Sequence, residues 1–311
     1  MTANHTRSLA LIVTLFTGSA GLVYEVTWHR YLANLIGSQA RAAAIILAVF
    51  LGGLSVGYIL FGRFSHNRSP RTLIRMYAWI EILIGAWACL FPLLFNFVWQ
   101  QVGILNPQGA LSIIYDVTLC IVLIAFPTVL MGSTLPLLTQ GLARNNRDAA
   151  SFHARVYALN TAGACLGCLA AGFLLIPVVG LARTLILVSS CNLGAGLLLL
   201  YLAPRVSAER PHPKVSHHSL QGHLNLWQAA VVAFLAGFYA LSLQTILIRL
   251  IGLSVGSSEY SFSMVVAVFI LLLAVGAWLG AGINRRGIPL WLNQLVVFLG
   301  LAALYFVLPI L

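Results

Sequence analysis

Nine apolar runs punctuate the chain, near 8–33, 41–64, 73–98, 112–142, 153–179, 182–203, 226–252, 259–283 and 289–311. Each approaches or exceeds the roughly 20 residues that a helix needs to cross a bilayer. The pattern therefore predicts an all-α polytopic membrane protein of about nine transmembrane helices. The run nearest the N-terminus is followed by further spans rather than by a secreted domain, so it reads as a first membrane helix and not as a cleaved signal. One long polar segment, 205–225, separates six spans in 1–204 from three in 226–311. It carries His212, His217, His218 and His223 among Ser, Pro and Lys. A metal-binding tract and a flexible cytoplasmic linker both fit that composition; no second ligand cluster supports metal.

Composition narrows the function classes. Hydrophobic residues make up 60% of the chain and charged residues 7%, against about 25% charged in a soluble domain. So few charges cannot clothe a water-facing surface, which excludes a soluble enzyme, a nucleic-acid reader and a disordered hub. The net charge of +11 is then a topology signal. Arg7 and the loops after even-numbered spans hold 13 of the 17 basic residues, while Arg30, Arg41, Arg183 and Arg249 occupy the opposite side. This bias places the N-terminus in the cytoplasm; the expected location is a plasma membrane, the inner membrane of a bacterium. All five cysteines fall in apolar runs, and Cys165-x-x-Cys168 reads as helix packing rather than as a redox pair.

Displaced by 219 positions, residues 18–62 align with 237–281 and share 12 of 45 residues, including Arg30/Arg249, Gly37/Gly256, Ser38/Ser257 and the Ala48-Val49-Phe50/Ala267-Val268-Phe269 triplets. Spans one and two thus correspond to spans seven and eight. A repeat displaced by six helices has parallel topology, the arrangement of transporters built from two six-helix halves. Gly280-x-x-x-Asn284-Arg285-Arg286-Gly287 resembles the cytoplasmic signature of the major facilitator superfamily, with Asn284 where that family has Asp; Gly62 to Arg68 is a more degenerate copy with His66 at that position.

Four segments carry a closer likeness: Gly18-Ser-Ala-Gly-Leu-Val-Tyr-Glu-Val-Thr-Trp28, Gly52-Gly-Leu-Ser-Val-Gly57, Leu130-Met-Gly-Ser-Thr-Leu-Pro-Leu137 and Tyr157-Ala-Leu-Asn-Thr-Ala-Gly163. Together they resemble the membrane region of the fused transporter–spermidine synthase family, over most of 15–203 and more weakly over 230–287. The resemblance implies a major-facilitator-like bundle accompanied by a soluble aminopropyltransferase domain. No strand–loop–helix with a Gly-rich nucleotide loop is legible in the sequence. The second half therefore reads as truncated, and the chain as given is expected not to be an enzyme.

Few side chains could carry chemistry. Glu25 and Glu81 lie well inside spans, where an ionisable group costs about 2.5–3.5 kcal/mol on insertion scales and is a functional candidate by default. Gly18, Gly21, Glu25 and His29 fall on one helical stripe about 80° wide, and the repeat places Gln244 opposite Glu25. With Trp28, Asn160 and the aromatic flank of Glu81 (Tyr77, Trp79), these residues could hold a small organic cation; each acid could equally be buried for structure, Glu81 by pairing with a residue such as Arg75. Asp116, at the start of span four, reads as solvent-exposed. Arg30 and Arg249 could form a pseudo-symmetric outer gate, contact an anion, or snorkel to the interface. Pro127, Gly132 and Pro136 are expected to kink or open span four, whereas Gly163-x-x-x-Gly167 and Gly276-x-x-x-Gly280 read as close-packing faces. Two functions follow: a transporter-like module that binds or moves a small organic cation such as a polyamine, or a membrane anchor for a spermidine synthase-like aminopropyltransferase whose catalytic domain lies on a missing segment or another chain. Beyond the bilayer and such partners, no cofactor, metal or nucleic acid is expected.

Overall fold

A computed structural model describes residues 3–66, 68–102, 110–143, 146–206, 226–254 and 259–285. Among them the regular structure is helical throughout: α1 (Ala3–Ile36), α2 (Gln39–Ser65), α3 (Pro70–Val102), α4 (Ala110–Cys120), α5 (Phe126–Leu142), α6 (Asn146–Ala170), α7 (Ile176–Val179), α8 (Leu181–Leu202), α9 (Leu226–Ser254) and α10 (Glu259–Arg285). Seven helical segments of the described residues are long and apolar enough to cross a membrane, and Tyr260–Gly276 is a shorter apolar helix. The expected ninth span, 289–311, and the linker from 207 to 225 lie outside the described residues. The all-helical, membrane-compatible class stands; the count of nine and the major-facilitator arrangement rest on the sequence pattern alone.

Turn chemistry sets several boundaries. Gly37 adopts φ +71° and Gly180 φ +81°, the left-handed region that a residue without Cβ enters at little cost. Their amides close the preceding turns onto the Ala33 and Ile176 carbonyls, both at 3.0 Å. Ser38 then caps α2, its side chain accepting from the Arg41 amide at 3.4 Å.

Two helices change winding on the way through. One π-helical turn, Ile121–Ala125, joins α4 to α5, and another, Ala171–Leu175, joins α6 to α7. Each ends two residues before a proline, Pro127 and Pro177. A proline supplies no amide to the turn before it, and a wider turn accommodates its ring without breaking the helix. The expected disturbance of span four therefore takes the form of a π-turn ahead of Pro127. Pro136 sits inside a continuous α5. Gly132 does not open the helix either: a Cβ there would run into the backbone of Leu54, and a Cβ on Gly57 into the backbone of Val129.

The bundle is built from paired helices, α1 on α6, α2 on α5 and α3 on α8, with α10 laid against α6. Lipid tails are as apolar as leucine, so helices associate through close backbone approach and polar contacts. Gly163 and Gly167 serve that approach, since a Cβ on either would collide with the backbone of Leu15 or Ser19 on α1. Gly276 corrects the second expectation of this kind, having nothing within 4 Å of a Cβ; the side-chain surroundings of Gly280 lie outside the described residues. Cys168 and Cys165 donate to the α10 carbonyls of Ser263 (3.2 Å) and Ala267 (3.7 Å), which makes the Cys-x-x-Cys stretch a seam between α6 and α10. Asp116 is not solvent-exposed: it is buried and accepts from Arg41 at 3.2 Å.

The repeat has a structural counterpart at the helix ends. Shifted by 219, Ile36 falls on 255, next to the last residue of α9, Ser254, and Gln39 falls on 258, next to the first residue of α10, Glu259.

Candidate functional site

Glu81 is 1% exposed, in the part of α3 that packs on α8. Asn192 of α8 donates its Nδ2 to Glu81 Oε2 at 2.6 Å and accepts at Oδ1 from the Tyr24 hydroxyl of α1 at 2.7 Å. Three helices are thereby tied through one amide. Close by, the Tyr77 hydroxyl lies 3.4 Å from Thr17 Oγ1. That hydroxyl is also a second hydrogen-bond partner of the Glu81 carboxyl, whose Oε1 is buried.

A cavity of about 150 Å³ adjoins it, lined by Glu81, Asn192, Tyr24, Tyr58, Thr134 and Asn160 among apolar neighbours. Gly21 also faces it, with nothing within 4 Å of a Cβ. The floor is thus a carboxyl held in place by an amide, and the walls combine hydroxyls and aromatic rings with Leu54, Ile84 and Met131.

Of the residues singled out from sequence, Glu81 and Asn160 meet in this cavity, with Gly18, Gly21 and Gly132 beside them, whereas Glu25, Trp28, His29, Gln244, Arg30 and Arg249 do not line it. Glu25 is 4% exposed and lines neither of these two cavities. Trp28 is fully buried, stacked on Tyr24 with ring centroids 5.5 Å apart and tilted against Phe91 at the same distance. It belongs to the aromatic core. His29 lies face to face with Phe262 of α10, centroids 3.8 Å apart. It lines a second cavity of about 240 Å³ with Gln39, Arg249 and Ser261. Gln244 is buried but lines neither space. The repeat-related arginines sit in unlike surroundings, Arg30 buried and Arg249 exposed. Glu81 is paired with Asn192 rather than with Arg75.

Sequence reasoning missed Asn192, Tyr24 and Tyr58. Asn192 carried the same signal that flagged Glu81, an amide isolated in the apolar run 182–203. The tyrosines carried none, because a membrane helix uses tyrosine freely at its ends and in its core.

No protein-family model matches the chain. Curated proteins do resemble it. A polyamine aminopropyltransferase of Corynebacterium efficiens is 29% identical over 208 residues, covering 64% of this chain and 37% of that protein. One from Oceanobacillus iheyensis is 26% identical over 186 residues, 58% of this chain and 33% of its own length. Polyamine aminopropyltransferase 1 of Streptomyces coelicolor is 24% identical over 201 residues, 63% and 35% respectively. The chain spans about a third of the length of the curated relatives it matches. These names overturn the expectation of a major-facilitator-type transporter, and with it the expectation that the chain is not an enzyme. Of the likeness stated from sequence, the part that holds is the one to polyamine aminopropyltransferases.

Proposed function

We propose that these helices are the membrane-embedded module of a polyamine aminopropyltransferase, with the catalytic domain in the same polypeptide or in a partner. The observation that carries this reading is the similarity to proteins bearing that name over 58–64% of the chain. The contribution of the helices is placement. They hold the enzyme at the plasma membrane with the N-terminus in the cytoplasm, an orientation supported by the 13-to-4 split of basic residues. The same cationic side would rest against anionic headgroups of the inner leaflet.

The test is recovery of the activity with the chain. An affinity-tagged copy, expressed at native level in the cell it comes from, is extracted from membranes in mild detergent. The eluate is assayed for transfer of a labelled aminopropyl group to a diamine. Enrichment of transfer along with the tagged chain is the expected result. An eluate that contains the intact chain and has no transfer activity, alone or through any co-purifying protein, overturns the proposal.

A further inference from the structure

We propose that the second cavity, with Arg249 at its rim, binds a phosphate ester, the headgroup phosphate of an anionic phospholipid. The inference goes beyond the enzymatic reading and does not depend on it.

Four helices meet at this place. His29 of α1, Gln39 of α2, Arg249 of α9 and Ser261 of α10 line about 240 Å³ of space. The His29 ring lies flat on Phe262, with planes 6° apart, and bonds the Gln39 backbone. That ties α1 to α10 and to the start of α2, which gives the recess a fixed wall. Arg249 stands five residues before the end of α9 at Ser254. At about 1.5 Å per residue its Cα is about 7 Å inside the helix end, a depth from which the long side chain reaches the headgroup layer. Snorkelling accounts for that reach and leaves unexplained a recess with polar groups beside the guanidinium. The repeat sharpens the contrast. Arg30, in the same register on α1, is buried and engaged within the protein, whereas Arg249 is exposed and lines the cavity.

Charge and wall chemistry narrow the class. A guanidinium stays protonated, and its planar fork matches two phosphate oxygens. No carboxyl among the described residues lines the cavity, so its charge is positive and a cation is disfavoured. Gln39 is exposed, and its amide is placed to donate to a further oxygen of the same group. At about 30 Å³ for each water-sized group the space holds about eight such groups. That is more than a halide needs and close to a phosphate carrying a small polyol. Ile248, Phe262 and Leu253, the last 77% exposed, give the rim an apolar surface. Acyl chains would cover that surface, and a soluble phosphate ester would not.

The probes are phosphatidylglycerol and soluble glycerol 3-phosphate, added to the purified full chain in a nonionic detergent, with monoolein as the uncharged amphiphile. Binding is read as a saturable rise in Tm and as lipid bound per chain in native mass spectra. Phosphatidylglycerol should bind saturably and more tightly than glycerol 3-phosphate, and monoolein should have no effect. Arg249→Gln should weaken lipid binding about tenfold, the loss of one charge-assisted contact. Ala40→Leu, which narrows the cavity from an exposed position, should weaken it as well. Arg183→Gln, at an exposed arginine outside the cavity, should leave it unchanged. Glycerol 3-phosphate binding as tightly as the lipid would overturn the lipid source and retain the phosphate site. Monoolein acting as well as phosphatidylglycerol, no saturable response to either phosphate probe, undiminished binding in Arg249→Gln or Ala40→Leu, or an equal loss in Arg183→Gln would each overturn the proposal. Transferase recovery is read in a separate experiment, so either conclusion can fail alone.

Discussion

The indole N–H of Trp87 donates to the carbonyl oxygen of Leu123 at 3.0 Å, the group whose regular helical donor would be residue 127, a proline. A carbonyl inside a membrane helix has no water to turn to, so a freed one must find a donor on a neighbouring helix or stay unmet. Here α3 supplies it. The π-turn before Pro127 and the tryptophan on the facing helix thus form one arrangement.

Trp87→Phe should therefore cost about 1–3 kcal/mol of stability, the penalty of leaving a buried acceptor unmatched. In a Pro127→Ala background the alanine amide restores a local donor, and the same tryptophan change should cost less. Denaturant or thermal unfolding of the four proteins in detergent measures the coupling. A cycle that closes with no coupling would remove the indole–carbonyl bond from the account of how α5 tolerates its proline.

Asn192→Leu keeps the side-chain volume and withdraws the amide from both Glu81 and Tyr24. The buried Tyr24 hydroxyl then loses its partner and the buried carboxyl loses one of its two, Tyr77 remaining, and about 2–5 kcal/mol should be lost from the two groups. Removing the acid as well, in Glu81→Leu/Asn192→Leu, should recover the carboxyl's share of that loss and leave the share of the Tyr24 hydroxyl, since replacing both members of a buried polar pair by apolar groups is often close to neutral. Equal instability of the single and double variants would show that packing at Asn192, and not the hydrogen bonds, is what the change disturbs.

How much of this was legible in the sequence differs from level to level. The apolar runs locate the long helices, because run length reports the solvent a segment faces. Pro127 announced a disturbance of span four, though not its form, since a π-turn depends on what the opposite helix can donate. The carboxyls were equally visible, and of the two Glu81 lines the cavity between α1, α3 and α8 while Glu25 does not. Which flank of a helix faces a void is decided by its azimuth against neighbours such as α6 and α8, and a stripe of small residues fixes that only within tens of degrees. Gly18 illustrates the limit: a Cβ there would strike Asn160, so the small-residue stripe that promised room near Glu25 serves contact at one end and opens at Gly21. The pairing of Arg41 with Asp116 was not legible because it joins two helices at positions 75 residues apart. Function was the least legible of all, because a hydrophobic pattern describes an environment and says little about a reaction.

Orientation can be checked directly. The excess of arginine and lysine on one set of loops predicts that a cysteine introduced as His217→Cys, in a variant lacking the five native thiols, is shielded from a membrane-impermeant maleimide in intact cells and reacts after permeabilisation. Labelling of intact cells at that position would invert the proposed topology and with it the side on which an attached enzyme works.

Two glycines five residues apart on α2 separate packing from propensity. A Cβ on Gly57 would collide with the carbonyl of Val129 and come within 3.1 Å of the Gly132 Cα, whereas a Cβ on Gly52 meets nothing within 4 Å. Gly57→Ala must push α2 from α5 or bend one of them, and overpacking of this sort costs about 1–3 kcal/mol. Backbone atoms form the obstacle, so no side-chain rotation can relieve it. Gly52→Ala adds its methyl to open space and removes a flexible residue from a helix interior, which should stabilise by about 0.5–1 kcal/mol. The opposite signs are the prediction, read as Tm shifts of the two purified variants against the parent in the same detergent. If Gly57→Ala proves neutral, the backbones of α2 and α5 do not approach as closely as Gly57 and Gly132 allow, and the pairing of these helices must be redrawn.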